Sequence, residues 1–209
     1  MTIIFSYNRP KMLSKLLDEV GHCVVLDDGS EYDPAPFIDR CDYYRLHHLG
    51  KEFFWLTWRY ALQMCKESDD DLFIFLQDDL SNVDLDRIHT IHASMEGDYA
   101  YNVHNAGGHR GWTPIKHREE DDRIFGSYVD CNYFCNRQAL EVLGFDMDWI
   151  NPMRFKVDGI SSGVGQQQSR KFYKANVPMY IPKKSLAYHG DHKSLMHPEE
   201  RKRNPLISR

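Results

Sequence analysis

The sequence predicts an α/β protein in which a mostly parallel sheet is covered by helices on both faces. Over the first eighty residues, three apolar runs of strand length, each followed by polar residues, alternate with segments of helical periodicity. This β-α-β-α-β order indicates a parallel sheet, because successive parallel strands need a crossover that is usually a helix. The chain has 209 residues, of which 42% are hydrophobic, so it is long and apolar enough for one globular domain.

The first half of the chain contains the clearest elements. Pro10 suits the first turn of a helix, the apolar residues that follow recur at helical spacing, and Gly21 ends the helix. A second helix has a broad aromatic face that we expect to be buried. The predicted elements of this half are strands at residues 2–6, 23–26, 43–46 and 72–76, and helices at residues 10–20 and 52–66.

The second half has a less regular pattern. A segment rich in glycine, histidine and charge, residues 107–122, predicts a loop. From residue 193 the chain is polar and basic, which predicts a short C-terminal tail after a single domain at 1–192. The other predicted elements are helices at residues 85–95, 136–143 and 165–175, and strands at residues 99–103, 130–134, 179–181 and 185–188.

Charge and composition limit the classes of function. The net charge of −5 conceals a basic end: residues 151–209 have twelve basic and four acidic residues, a net of +8, which leaves −13 for residues 1–150. The basic part either faces an anionic partner or offsets the acidic part within the fold. Five cysteines at scattered spacings argue against a disulfide scaffold and favour a reducing compartment, so we expect a cytoplasmic protein. No apolar run of about 18 residues is present, which excludes a membrane-spanning helix.

Polar clusters follow three of the predicted strands. They are Ser-Tyr-Asn-Arg at 6–9, Asp-Asp-Gly-Ser at 27–30 and Gln-Asp-Asp at 77–79. Ligands of open parallel sheets bind beyond the carboxyl ends of the strands, so we expect the three clusters to meet at one edge. Carboxylates gathered there repel one another unless a cation is present, and Mg²⁺ or Mn²⁺ binds carboxylates and substrate phosphates together. The sequence therefore predicts a divalent-cation site, without the glycine motifs of a P-loop or a dinucleotide-binding fold.

These segments, in this order, resemble the N-terminal half of GT-A-fold glycosyltransferases, most closely the family 2-like enzymes. The matching stretches are residues 6–17, 25–30 and 73–79, and residues 48–51 resemble the glycine segment that the family has between the second and third stretches. The resemblance implies a GT-A-type three-layer α/β/α fold. It also implies a nucleotide-sugar-binding half at residues 1–80 and an acceptor half at residues 81–192.

The resemblance also implies a role for each matching residue. Asp78 and Asp79 form the metal motif, with Asp79 the direct ligand of Mn²⁺ or Mg²⁺. The family's motif begins with an acidic residue where this chain has Gln77, whose amide oxygen can bind a ribose hydroxyl but brings no charge. The residues implied to contact the nucleotide sugar are Ser6, Tyr7, Arg9, Asp27, Asp28, Lys51, Gln77, Asp78 and Lys193.

Two further roles follow from the C-terminal half. Residues 186–190 resemble the closing strand of these enzymes, in which a histidine completes the metal site, so His189 is the candidate ligand and His192 its alternative. An inverting transfer needs a carboxylate that takes the proton of the acceptor hydroxyl. Residues 157–159 resemble the segment that supplies this base, which makes Asp158 the candidate, although the family has two adjacent acidic residues there. Asp130 is the alternative.

The sequence therefore predicts a metal-dependent, inverting glycosyltransferase with a nucleotide-diphosphate sugar, UDP-sugar first, as donor. A nucleotidyltransferase is one alternative, although it needs a basic, glycine-rich loop after the first strand, which is missing here. A non-catalytic sugar- or nucleic-acid-binding module is the other. The acceptor stays open among small molecules, glycans, proteins and DNA. The basic end keeps DNA among the candidate acceptors, because phosphate contacts from Lys and Arg supply most non-specific DNA affinity. Compact enzymes of this kind also occur in phages, where they glycosylate hydroxymethylated pyrimidines. We expect a monomer.

Overall fold

The computed structural model describes residues 1–47, 50, 53–105, 122–151 and 163–189. The strands in this part of the chain are β1 Thr2–Ser6, β2 Val24–Asp27, β3 Asp42–Arg45, β4 Leu72–Gln77, β5 Leu80–Ser81, β6 Ala100–Asn102, β7 Arg123–Gly126, β8 Tyr133–Asn136, β9 Met179–Pro182 and β10 Tyr188–His189. The helices are α1 Pro10–Val20, α2 Ala35–Ile38, α3 Phe54–Glu67, α4 Leu85–Ser94, α5 Arg137–Leu143 and α6 Val164–Lys174.

Eight of the described strands form one sheet, in the order β3-β2-β1-β4-β8-β6-β9-β7. The first four are parallel neighbours, β8 is antiparallel to both β4 and β6, β9 is parallel to β6, and β7 is antiparallel to β9. Six of the eight strands therefore point the same way. β5 and β10 form a separate antiparallel pair.

Helices cover both faces of the sheet, as the alternation of strand side chains requires. Ile3 and Phe5 pack in one buried cluster with α3, α5 and α6. Ile4, between them, packs in a second cluster with α1, α2 and α4. The structure thus confirms a three-layer α/β/α fold with a mostly parallel central sheet. The aromatic face of α3 is buried as expected, with Trp58 stacked on Phe5 at 4.6 Å between ring centroids.

Local signals explain the helix ends on either side of the sheet. Pro10 occupies the first turn of α1, and Gly21, with a φ of 69°, ends it. Asn136 caps α5 by accepting a hydrogen bond from the Ala139 N–H, and Gly144 closes that helix in the left-handed conformation. None of the described helices is long and apolar enough to cross a membrane.

Several short elements differ from the sequence-based expectations. The strand predicted at 130–134 begins only at Tyr133, so the expectation that Asp130 starts a strand is wrong. Asp130 lies in the preceding loop, where its N–H donates to Asn102 Oδ1 at 2.8 Å and its own carboxylate accepts the Cys131 N–H. The strand predicted at 185–188 is shifted to β10. Elements α2, β5 and β7 were not predicted. Most of the predicted loop at 107–122 lies outside the described residues.

Candidate functional site

The carboxyl ends of β1, β2 and β4 form one edge of the sheet, which we call the rim. The Asp28 N–H donates to the Ser6 carbonyl at 2.9 Å, and the Asp78 N–H donates to the Phe5 carbonyl at 3.0 Å. These bonds continue the parallel pairing by one residue beyond the strands. The expectation that the three polar clusters meet at one edge is therefore confirmed.

Asp78 ties the end of β4 to the turn after β1. One carboxylate oxygen accepts hydrogen bonds from the Ser6 hydroxyl at 2.9 Å and the Tyr7 N–H at 3.0 Å. The other accepts from Arg9 Nη1 at 3.1 Å. Asp78 is only 3% exposed. Its burial raises the pKa of the carboxyl to about 6, although the Arg9 guanidinium lowers it.

Asp79 has a different environment from its neighbour. Its Oδ2 lies 2.9 Å from Arg9 Nη1 and 3.5 Å from His189 Nε2. Its Oδ1 is buried and accepts no hydrogen bond from the described residues. A buried carboxylate oxygen without a partner is costly, and such atoms in native structures usually have a ligand or water to satisfy them. Asp79 therefore fits the role of a metal ligand.

His189 is brought to Asp79 by the short antiparallel pair of β5 and β10. In this pair His189 lies opposite Leu80, the residue that follows Asp79. The ring of His104 lies 6.1 Å from the His189 ring, measured between centroids, and His104 Nδ1 lies 3.2 Å from the Ser185 hydroxyl. Sequence reasoning singled out His189 but missed His104, which follows β6 at the same edge of the sheet.

A divalent cation is compatible with this arrangement if the substrate supplies ligands. Within the described ranges no group of three or more His, Cys, Asp or Glu side chains could hold a metal ion. Asp79 and His189 would supply two ligands, and Asp79 Oδ1 has no hydrogen-bond partner among the described residues. Mg²⁺ sites at phosphate substrates commonly use one or two carboxylates and complete the shell with phosphate oxygens and water.

Both carboxylate oxygens of Asp27 accept hydrogen bonds from other residues of the protein. One oxygen accepts from the N–H of Ser30 at 3.1 Å and from the Ser30 hydroxyl. The other accepts from the Tyr43 hydroxyl at 2.5 Å and from Arg45 Nε at 3.0 Å. These four bonds use all the lone pairs of the carboxylate. Asp27, the last residue of β2, therefore has no lone pair left for a nucleotide contact.

Three residues that were not singled out from the sequence, Tyr32, Tyr43 and Arg45, contact one another beside the ends of β1 and β2. The Tyr32 hydroxyl lies 3.3 Å from the Ser6 hydroxyl and 3.2 Å from the Tyr43 hydroxyl. The Arg45 guanidinium stacks over the rings of both tyrosines. Burial and the hydrogen bond to Asp27 raise the pKa of Tyr43, so its hydroxyl stays a donor. The alternation of Tyr43 and Arg45 on a predicted strand beside the rim was an available signal.

Gln77 and Asp130 lie at the same edge of the sheet. Because β8 is antiparallel to β4, β8 begins at the carboxyl end of β4, and the loop before β8 ends there. Asn132 in that loop accepts the Gln77 N–H at 2.7 Å and donates to the Gln77 side chain at 3.0 Å. Asp130 stands two residues earlier. Asn132 was not identified from the sequence. Lys51, Asp158 and Lys193 lie outside the described residues.

Replacing Asp27 by Asn is expected to lower the free energy of unfolding by about 2–3 kcal/mol. The amide cannot accept all four hydrogen bonds, and the Arg45 side chain loses its buried counter-charge. Urea unfolding measures the loss. Asp69→Asn, at an exposed position, is the control and should change stability by less than about 0.5 kcal/mol. Equal stabilities of the two variants would contradict the structural role of Asp27.

Asp78 is expected to make stability depend on pH in the metal-free protein. Its pKa is raised in the folded state from the usual 3.8 to about 6, so the folded protein holds this proton more tightly than the unfolded chain. The resulting stabilisation is complete below the lower value and is lost as pH rises through the higher one. The difference in unfolding free energy between wild type and Asp78→Asn should fall by about 2–3 kcal/mol from pH 4 to 7. A difference that stays constant or rises with pH would show that folding does not raise the pKa of Asp78.

Comparison with known proteins gives a weak likeness in fold. No protein-family model and no curated protein sequence matches this chain. Solved structures that resemble it include A197 from STIV, with 16% identity and a TM-score of 0.46 over 92% of this chain and 87% of that one. They also include CMP:2-keto-3-deoxy-manno-octonic acid synthetase complexed with CTP, with 12% identity and a TM-score of 0.44 over 87% of this chain and 88% of that one. Neither likeness is strong enough to support a function.

Proposed function

We propose that this protein is a divalent-cation-dependent glycosyltransferase that moves a sugar from a nucleotide-diphosphate sugar, UDP-sugar first, to a hydroxyl group. The main observation in support is the buried Asp79, whose Oδ2 lies 3.5 Å from His189 and whose Oδ1 has no partner among the described residues. The pair lies on the rim at which parallel α/β sheets bind their ligands.

The rim residues have separate roles in this proposal. Asp28 and the turn after β1, which Asp78 holds in place, contact the nucleotide. Asp79 and His189 hold the Mn²⁺ or Mg²⁺. When bound, such an ion supplies positive charge that stabilises the departing diphosphate. Lys51 and Lys193 stay candidates for donor contact by their resemblance to the family.

A carboxylate takes the proton from the acceptor hydroxyl as it attacks the sugar. Asp158 is our first choice for this base, by resemblance to the family. Asp130 is the alternative, and its support is positional: it lies on the loop that ends at the carboxyl end of β4, two residues before Asn132, which contacts Gln77. The acceptor proposed for first testing is a hydroxymethylated pyrimidine in DNA, beside glycans and small hydroxyl compounds.

UDP together with Mn²⁺ is expected to raise the melting temperature by several degrees. A ligand that binds only the folded state adds about 2.7 kcal/mol at one hundred times its Kd. UDP with EDTA, and Mn²⁺ alone, are the matched controls and should each shift it less. The absence of a shift with any nucleoside diphosphate and metal would refute the donor site. Pyrophosphate release from a nucleoside triphosphate, without sugar transfer, would indicate a nucleotidyltransferase instead.

A further inference from the structure

The Arg9 guanidinium lies between the two carboxylates of the metal motif. Its Nη1 is 3.1 Å from Asp78 Oδ1 and 2.9 Å from Asp79 Oδ2, and its side chain is 13% exposed. In the ligand-free protein the positive charge beside these buried carboxylates is therefore supplied by the chain itself. Sequence reasoning placed Arg9 among the contacts to the nucleotide sugar and gave no indication of this contact.

This position conflicts with a cation on Asp79. Arg9 and His189 both approach the same oxygen, Asp79 Oδ2. A divalent ion held by Asp79 and His189 would stand within a few ångström of the guanidinium, in surroundings where charges are poorly screened and like charges repel strongly. The ion and the Arg9 side chain thus compete for Asp79.

The main chain at Arg9 is held in place independently of the guanidinium. The Arg9 carbonyl accepts the N–H groups of Met12 and Leu13 at the start of α1, so the main chain is fixed. The guanidinium itself forms no side-chain cap on that helix. Guanidinium groups bind phosphate with two parallel hydrogen bonds, so a diphosphate at the rim offers Arg9 a partner at least as good as a carboxylate.

We propose that Arg9 couples metal binding to nucleotide binding, by holding Asp79 in the ligand-free protein and moving to the diphosphate when the cation takes Asp79. This inference rests on the proposed function. In this coupling, Mn²⁺ and UDP each bind weakly alone and tightly in the presence of the other. The coupling is reciprocal, because the factor by which UDP tightens Mn²⁺ must equal the factor by which Mn²⁺ tightens UDP.

Direct measurement of Mn²⁺ affinity tests this coupling without an activity assay. Free Mn²⁺ is followed by electron paramagnetic resonance, with and without UDP, in wild type, Arg9→Gln and Arg59→Gln. Arg59 is the control, because it pairs with Asp146 on the surface. In wild type and the control, UDP should tighten Mn²⁺ by about tenfold or more. In Arg9→Gln, Mn²⁺ alone should bind about tenfold tighter than in wild type, and UDP should tighten Mn²⁺ less than it does in wild type, because only the direct ligation by the diphosphate remains.

The outcomes separate this inference from the function it rests on. If wild type binds Mn²⁺ with UDP and Arg9→Gln keeps the wild-type affinity for Mn²⁺ alone, or the wild-type coupling, the role of Arg9 is overturned and the function stands. If wild type binds no Mn²⁺ even with UDP, both fail. Arg9→Lys covers the case in which Arg9→Gln does not fold. Lysine keeps the positive charge but cannot form the two parallel hydrogen bonds of a guanidinium to the diphosphate, so the coupling should fall at least about threefold, and unchanged coupling would overturn the inference.

Discussion

Asp158→Asn is expected to lower the turnover number of sugar transfer by about 10²–10⁴-fold, the usual contribution of a positioned general base. The substitution keeps the size of the side chain and removes its ability to take the acceptor proton. The affinity for UDP and Mn²⁺ should stay near that of wild type, because the base acts on the acceptor. Initial rates at saturating donor and acceptor, together with a UDP titration, measure both effects.

Asp130→Asn is the matched comparison for this experiment. The Asp130 carboxylate accepts the N–H of Cys131, a bond that an asparagine side chain can keep, so the loop before β8 should hold its shape. We expect a much smaller loss than for Asp158→Asn. Reversed penalties would make Asp130 the base. A product with the same anomeric configuration as the donor would show that the transfer does not invert.

Asp79→Asn is expected to weaken metal-dependent binding of UDP by about 100-fold or more. Loss of an outer-shell partner alone costs metal sites roughly 10–100-fold, and this change removes the charge of a direct ligand. His189→Ala should act in the same direction. Calorimetric titration of UDP with and without Mn²⁺ measures the loss, and the metal-independent part of UDP binding should not weaken, because the lost charge of Asp79 also loosens its hold on Arg9.

We expect both variants to fold, so a loss of binding can be assigned to the site itself. In Asp79→Asn the ion pair between Arg9 and Asp78 remains, and His189 is on a two-residue strand that is not part of the main sheet. Asp69→Asn, at an exposed position, is the control and should bind like wild type. Wild-type affinity for UDP and Mn²⁺ in both site variants would show that Asp79 and His189 hold no metal.

The sequence was sufficient to predict where the three polar clusters meet. The apolar strands β1, β2 and β4 are marked by continuous buried residues, which parallel strands covered on both faces require. Once their order was known, the meeting of the polar clusters at one edge followed from geometry. The helix signals at Pro10 and Gly21 were also correct, because such signals depend only on local backbone preferences.

The contacts within the site could not be predicted in the same way. Asp78 is 72 residues from Ser6 and 55 residues separate Gln77 from Asn132, so no local pattern reports that these side chains touch. The two-residue strands β5 and β10 are too short for a periodicity signal. The saturation of Asp27 was likewise hidden, because it depends on how β3 pairs with β2.

Crystals containing UDP and Mn²⁺, measured for the anomalous scattering of manganese, test the central claim most directly. We expect one anomalous peak at the rim, within about 2–2.5 Å of the Asp79 carboxylate and of His189 Nε2, with diphosphate oxygens completing the shell. UDP bound at the rim with no manganese on Asp79, or manganese bound at another site, would contradict the metal-dependent donor site.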